Sequence, residues 1–280
     1  IQDLHAGYGA VQVLHGMSIE VRNGETLALL GTNGNGKSTL MKCLIGDVRP
    51  TQGSIILEID GVKRDLSELS TNQIVDLGIS IVPEGRRLFP QLTVEENLSF
   101  FASIFGVNFE DSYDLVAPIY KQIEPFRRRQ ARKLSGGMKQ KLALSCTLIH
   151  HPSVLFLDEP TTGIDAVSRG ELWDMLQTLK EKGITILVST PYMDEASLCD
   201  RIALCNEGHI LGIDTPRGIV EKFNSKLYAV RADNMFALLE AARQVEGVLE
   251  CYPFGQTHHL IADTKFNKHR FIEQLDALSN

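Results

Sequence analysis

Thr26-Leu27-Ala28-Leu29-Leu30-Gly31-Thr32-Asn33-Gly34-Asn35-Gly36-Lys37-Ser38-Thr39 is the stretch on which the fold turns. Its first five residues are nearly all apolar and read as a strand covered on both faces. Gly31 to Ser38 then match G-x-x-x-x-G-K-[ST], and a helical pattern follows over Lys37–Ile45. Strand, glycine loop and helix in that order make a phosphate cradle. Glycines let backbone N–H groups close around an anion, and the helix N-terminus adds partial positive charge. Lys37 is expected to hold the β- and γ-phosphates of a nucleotide, and Ser38 to offer its hydroxyl to Mg²⁺. Gly31, Thr32, Asn33, Gly34, Asn35, Gly36 and Thr39 complete the expected nucleotide-binding set. A plain glycine-rich turn is the competing reading, and the flanking strand and helix weigh against it.

Working outward, short apolar runs at Ile79–Val82, Val154–Leu157, Ile184–Val188 and Arg201–Leu204 read as further strands. Helices fit at Gly136–His150 and Ala166–Lys182, so the pattern is an α/β sheet with crossover helices. Ile1–Val21, Ser54–Ile59 and Gly208–Ile213 alternate instead, which suggests antiparallel strands beside the main sheet. Between Thr93 and Arg132 no strand signal occurs. Thr93 with Glu96 three residues on forms a capping box, so a helical insert is expected over about 93–132. After residue 224 a second, small α+β unit is expected to residue 280. It comprises a strand at Lys226–Ala232, a helix at Met235–Gln244, a hairpin of Val248–Tyr252 and His259–Asp263 around Pro253–Gly255, and a last helix over Asn267–Leu278.

The 280 residues suit one large and one small unit. A net charge of −7 argues against a protein whose main task is coating nucleic acid. The one basic cluster, Arg127-Arg128-Arg129 with Arg132 and Lys133, reads first as a solvated helix face and second as a nucleic-acid contact. No apolar run approaches the roughly 20 residues of a membrane span, and neither end carries a signal-peptide pattern. The five cysteines form no C-x-x-C pair, which predicts buried thiols in a reducing compartment rather than disulfides or a zinc site.

Val154-Leu155-Phe156-Leu157-Asp158-Glu159-Pro160 is an apolar strand ending in two carboxylates. Beside a phosphate loop, Asp158 is placed to reach Mg²⁺ and Glu159 to polarise an attacking water. Taken alone, the pair would read as a surface cap on a strand.

Leu134-Ser135-Gly136-Gly137-Met138-Lys139-Gln140 resembles the LSGGQ signature of ABC-type ATPases, and it lies after a helical insert and shortly before Asp158 as in that family. Ser135 is expected to cap the following helix and leave its N-terminus facing an anion. The resemblance implies a P-loop NTPase cassette with an antiparallel β subdomain and a helical insert, filling residues 1–224, with 225–280 as an accessory domain. It implies ATP and Mg²⁺, a second ATP-binding subunit (identical or different), and separate transmembrane permease subunits. The site would then be peripheral, on the cytoplasmic face of the membrane, with no nucleic-acid partner. The resemblance further implies that Ser135, Gly136 and Gly137 contact the γ-phosphate held by the partner subunit. Tyr8 sits where the family stacks an aromatic ring on adenine, against a reading as ordinary packing. Thr162-Gly163-Ile164-Asp165 resembles the D-loop that crosses between subunits, while Asp165 alone also reads as an N-cap.

Three positions depart from the family pattern. Glu84 stands where a glutamine usually links metal and attacking water to the transport interface, so Glu84 joins Glu159 and Lys37 in the expected catalytic set and Ser38 and Asp158 in the metal set. Met138 replaces the signature glutamine. Pro191 replaces a histidine that contacts the γ-phosphate; Thr190 as N-cap with Pro191 at the first helical position is the local expectation. The resemblance also changes along the chain. Up to about residue 100, as in Val82-Pro83-Glu84-Gly85-Arg86-Arg87-Leu88-Phe89-Pro90, it is to ATPases of branched-chain amino acid importers; from Ser135 onward, as in Thr190-Pro191-Tyr192-Met193-Asp194-Glu195-Ala196, it is to multidrug-type exporter ATPases. Export is the favoured expectation, with import second and a non-transport ABC ATPase acting on ribosomes or nucleic acid as the alternative of another class.

Overall fold

A computed structural model describes residues 1–59, 61–222, 225–263 and 266–278. The chain divides into two compact units, Ile1–Pro216 and Arg217–Asn280.

In the larger unit the apolar runs become one six-stranded sheet in the order His209–Asp214, Arg201–Asn206, Thr26–Leu30, Thr185–Thr190, Val154–Asp158, Ile79–Val82. The last five run parallel, and only the edge strand His209–Asp214 is antiparallel. Thr185–Thr190 is buried at every position and Thr26–Leu30 at four of five, which is why these strands read as unbroken apolar runs. Leu27, Leu29, Leu40, Met41, Phe156 and Leu187 share one core that joins the sheet to the helix Lys37–Leu44. Each fully buried leucine there contributes about 2 kcal/mol over an exposed one, so the strand leading into the glycine loop is firmly anchored. The sheet order places the carboxyl ends of Thr26–Leu30, Thr185–Thr190 and Val154–Asp158 side by side, where parallel α/β sheets bind ligands.

The N-terminal strands Gln2–Tyr8 and Val11–Met17 pair antiparallel in a separate three-stranded sheet completed by Gln52–Ser54. The expected single strand over Ser54–Ile59 is in fact divided: Gln52–Ser54 joins that sheet, and Ile56–Ile59 forms a hairpin with Val62–Asp65. His209–Asp214 lies on the edge of the main sheet rather than beside it. The insert opens as expected. Thr93 Oγ1 accepts from Glu96 N at 3.2 Å while Glu96 Oε2 accepts from Thr93 N at 2.7 Å, starting the helix Val94–Phe105. That reciprocal bonding holds the Glu96 carboxyl below the usual range. The helix Tyr113–Tyr120 and short 3₁₀ turns follow. The basic cluster is not a helix face: Arg127, Arg128 and Arg129 lie exposed between the 3₁₀ turns Glu124–Phe126 and Ala131–Lys133, with Arg129 over the Phe126 ring.

In the smaller unit Lys226–Val230, Thr257–Ala262 and Val248–Phe254 form an antiparallel sheet in that order, with helices Met235–Ala242 and Lys268–Leu278. The hairpin turns at Gly255-Gln256, tighter than its sequence suggests: the first strand runs on to Phe254 and the second starts at Thr257, with Pro253 accommodated in an edge strand. Leu260, Ala262, Cys251 and Phe271 fill its core. Among the described residues no helix is long and apolar enough to cross a membrane. All five cysteines are free and buried.

Candidate functional site

The glycine loop turns back over its own strand because three glycines go where side chains cannot. A Cβ on Gly31 would lie 2.4 Å from the Cys205 carbonyl oxygen, and Gly34 and Gly36 hold φ of 87° and 89°. Asn35 braces the loop from inside, donating to Thr32 Oγ1 at 3.0 Å and to the Cys205 carbonyl at 3.2 Å, and accepting from Glu207 N at 3.0 Å. Gly36 caps the helix Lys37–Leu44 without a side-chain hydrogen bond, so the first-turn N–H groups are left for a ligand. Thr32 and Asn33 are exposed at the mouth of the loop, and Thr39 is buried one residue into the helix after Ser38.

Lys37 is 3% exposed, and its ammonium lies in a ring of oxygens: the carbonyls of Gly31 at 2.8 Å and Thr32 at 3.1 Å, and Glu159 Oε1 at 3.2 Å. Ser38 Oγ donates to Asp158 Oδ1 at 3.2 Å, so the two expected metal ligands meet across a sequence separation of 120 residues. A hydroxyl and a carboxylate are hard oxygen donors, the kind that hold Mg²⁺ together with substrate phosphates. Glu159 follows with φ 46°, a left-handed conformation that is uncommon for a side-chain-bearing residue and is held by its surroundings. Its N–H donates to Ser189 Oγ at 3.0 Å, and Ser189 Oγ donates to Asp158 Oδ1 at 2.6 Å. Ser189 is a site residue that sequence reading missed. The signal is positional: Ser189 is the penultimate residue of the strand Thr185–Thr190, whose register puts it opposite Asp158.

The signature residues form a second cluster. Ser135 Oγ accepts from Met138 N at 3.2 Å and caps the helix Gly136–Leu148. A Cβ on Gly136 would lie 2.3 Å from the Gly163 carbonyl oxygen, and one on Gly137 would lie 2.2 Å from Ser168 Oγ. The two glycines therefore permit close packing against the loop and helix that follow Glu159, beyond exposing N–H groups. Asp165 caps the helix Ala166–Glu181, accepting from Ser168 N at 2.9 Å and Ser168 Oγ at 2.7 Å, and these bonds hold its carboxyl below the usual range. Among the described residues no hydrogen bond or ion pair joins Ser135, Gly136 or Gly137 to the loop Gly31–Ser38.

Three expected residues stand apart. Glu84 is exposed in the turn after Ile79–Val82 and makes no hydrogen bond or ion pair with any described residue, so the structure does not bring it onto Ser38 and Asp158. Tyr8 ends its strand 47% exposed, with Lys42 Nζ 3.3 Å from its hydroxyl and 5.4 Å from the ring centre, leaving ring surface open. Thr190 is not a helix cap. It completes the strand Thr185–Thr190, accepts from Tyr192 N at 3.1 Å and donates to Glu195 Oε2 at 2.7 Å; the helix begins at Met193. The strand's hydrogen bonding to Thr26–Leu30 runs on to Thr190, which outweighs the capping preference. Arg169 closes this corner, 3.4 Å from Glu195 Oε1 and over the Tyr192 ring.

A phosphate loop on a parallel sheet, with a lysine, a serine and two strand-end carboxylates converging on it, defines a P-loop nucleotide-binding cassette. Residues 14–162 match the family "ABC transporter". The Nod factor export ATP-binding protein I of Burkholderia orbicola (strain AU 1054) is 38% identical over 217 residues, which are 76% of this chain and 69% of that protein. The probable multidrug ABC transporter ATP-binding protein YbhF of Escherichia coli (strain K12) is 35% identical over 217 residues, 77% of this chain and 36% of that protein. A solved structure described as the ATP binding subunit of an ABC transporter superposes with a TM-score of 0.69 at 30% identity, covering 79% of this chain and 91% of that one. The chain belongs to the ABC transporter family and is an ATP-binding ATPase of that family.

Proposed function

We propose that this chain is the motor subunit of an exporter, closing as a dimer around two ATP molecules to drive separate transmembrane subunits. The observation that carries the reading is the division of the site. The loop Gly31–Ser38 with Asp158 and Glu159 makes one cluster, and Ser135–Gly137 with the Asp165 loop makes another. Among the described residues no hydrogen bond or ion pair joins Ser135, Gly136 or Gly137 to the loop Gly31–Ser38 of the same chain, as expected if each is completed by a second copy or a related subunit. Residues to about 224 act as the ATP-binding domain and 225–280 as an accessory domain.

In this mechanism Lys37 and the loop N–H groups bind the β- and γ-phosphates, and Tyr8 offers its open ring face to the adenine. Ser38 and Asp158 would hold Mg²⁺, which would supply charge stabilisation to the phosphates. Glu159 takes part of a proton from the attacking water, with its backbone fixed by Ser189. Its ion pair with Lys37 is exchanged for lysine–phosphate contacts when ATP binds. Ser135 and the helix it caps face the γ-phosphate of the partner site, and Asp165 holds the adjoining loop. Glu84 lies in an exposed turn and would have to move to reach the metal and water. Pro191 supplies no imidazole, so one transition-state contact is missing and turnover is about one to several orders of magnitude slower than with histidine there. Binding energy and product release, not a covalent intermediate, move the clamp.

The names of the relatives support export over import. In sealed vesicles with the cassette outward and ATP outside, export moves solute inward; solute leaving the vesicle would overturn it. The cytoplasmic, membrane-peripheral placement follows from the same reading. A non-transport role predicts salt-sensitive RNA binding, which the transport reading expects to be negligible.

A further inference from the structure

Gly85, Arg86 and Arg87 carry positive φ in succession, at 80°, 65° and 43°. Two arginines in that region cost about 1 kcal/mol or more each and persist only where the surroundings hold them. For Arg86 the hold is visible. Its Nε donates to Gln140 Oε1 at 2.7 Å and its Nη2 donates to the Thr162 carbonyl at 2.7 Å. Gln140 is 2% exposed on the helix Gly136–Leu148. Thr162 lies in the loop after Glu159: its N–H donates to the Glu159 carbonyl at 3.1 Å, and its hydroxyl to Glu159 Oε2 at 3.4 Å. On the other side, Asn97 of the helix Val94–Phe105 accepts from Phe89 N at 2.9 Å and donates to the carbonyls of Phe89 and Leu92. One guanidinium thus ties the turn Pro83–Arg87 to the loop after Glu159, in contact with the signature helix on the way.

We propose that Arg86 is a positioning residue for ATP hydrolysis, holding the Glu159 carboxylate through Thr162 and passing to it any displacement of the turn Pro83–Arg87. The proposal rests on the reading of Glu159 as the residue that polarises water. A guanidinium suits the task because its planar fork aims two N–H groups at two fixed acceptors in different segments. An ammonium on the same stem is a point charge and reaches one of them well.

The test uses the full chain. Arg86→Gln is expected to lower kcat for ATP about tenfold while KM and the ATP dissociation constant stay within about twofold, and Arg86→Lys to lower kcat about threefold. Amide hydrogen exchange over residues 159–165 is expected to rise in Arg86→Gln while that of Gly31–Ser38 is unchanged. A kcat within twofold of the parent, an equal rise in KM, or unchanged exchange over 159–165 overturns the proposal. Should Arg86→Gln not fold, Arg86→Lys decides: parent-like kcat and exchange overturn it. Failure of the underlying reading shows separately, as Glu159→Gln hydrolysing ATP at the parent's rate.

Discussion

Lys37 and Glu159 form an ion pair at 3.2 Å with both side chains nearly out of water, a costly arrangement unless each charge has further partners. The carbonyls of Gly31 and Thr32 serve the lysine, and the Thr162 hydroxyl serves the glutamate. A phosphate can displace the carboxylate from the lysine, freeing Glu159 toward water. Lys37→Ala is expected to weaken ATP binding at least about tenfold, read by titration of the nucleotide. The thiols are governed by burial. Burial pushes Cys43 and Cys199 up to about 12 and Cys205 up to about 11 from a usual value near 9. At pH 8 they stay protonated, so alkylation of the native protein is expected to be at least about tenfold slower than after unfolding. The sign for stability follows. Raised thiols favour the folded state fully below pH 9, and that share is lost as pH climbs from 9 toward 12, so unfolding midpoints fall over that range. At this scale the phosphate loop, Asp158 and Glu159 were readable because spacing alone fixes their order along strand, loop and helix. Ser189 was not, because its role depends on register with a strand some thirty residues away.

Among the elements, those with a buried apolar pattern are legible in the sequence and short exposed ones are not. The parallel strands announce themselves because both faces are buried. Val62–Asp65 is exposed at every position and carries no apolar pattern, yet it is a strand through its hairpin with Ile56–Ile59. The short helix Thr71–Asp76 went unread although Ser70 and Gln73 supply a capping box before it. Thr190-Pro191 misled for the opposite reason, since a good local capping pair was overruled by strand pairing. Caps that do operate have measurable effects. Thr93→Ala is expected to destabilise the fold by about 1 kcal/mol in denaturant unfolding, through the lost bond to Glu96 N. Gly136→Ala is expected to cost more than a cap, because its methyl would meet a backbone oxygen at 2.3 Å and neither segment can yield by a rotamer change. Both loss of stability and loss of ATP turnover are expected there, the first measured by thermal unfolding at saturating and zero nucleotide.

At the scale of the molecule, the phosphate loop, Asp158 and Glu159 lie at the carboxyl ends of interior strands of the main sheet, and the proposed function gives Ser135–Gly137 to the site of a second subunit. An ATP-driven clamp is the simplest use of that division. In the proposed clamp, ATP binding and association are linked equilibria, so each strengthens the other. Accordingly, Glu159→Gln with ATP and Mg²⁺ is expected to associate with its partner subunit more tightly than the parent does, read by sedimentation, and Ser135→Arg to abolish the gain. Hydrolysis of ATP through Glu159 is the step on which the proposed function depends. ATP turnover of Glu159→Gln beside the parent tests it most directly. The account predicts a rate at least about a hundredfold lower with ATP affinity retained; hydrolysis at the parent's rate would contradict it.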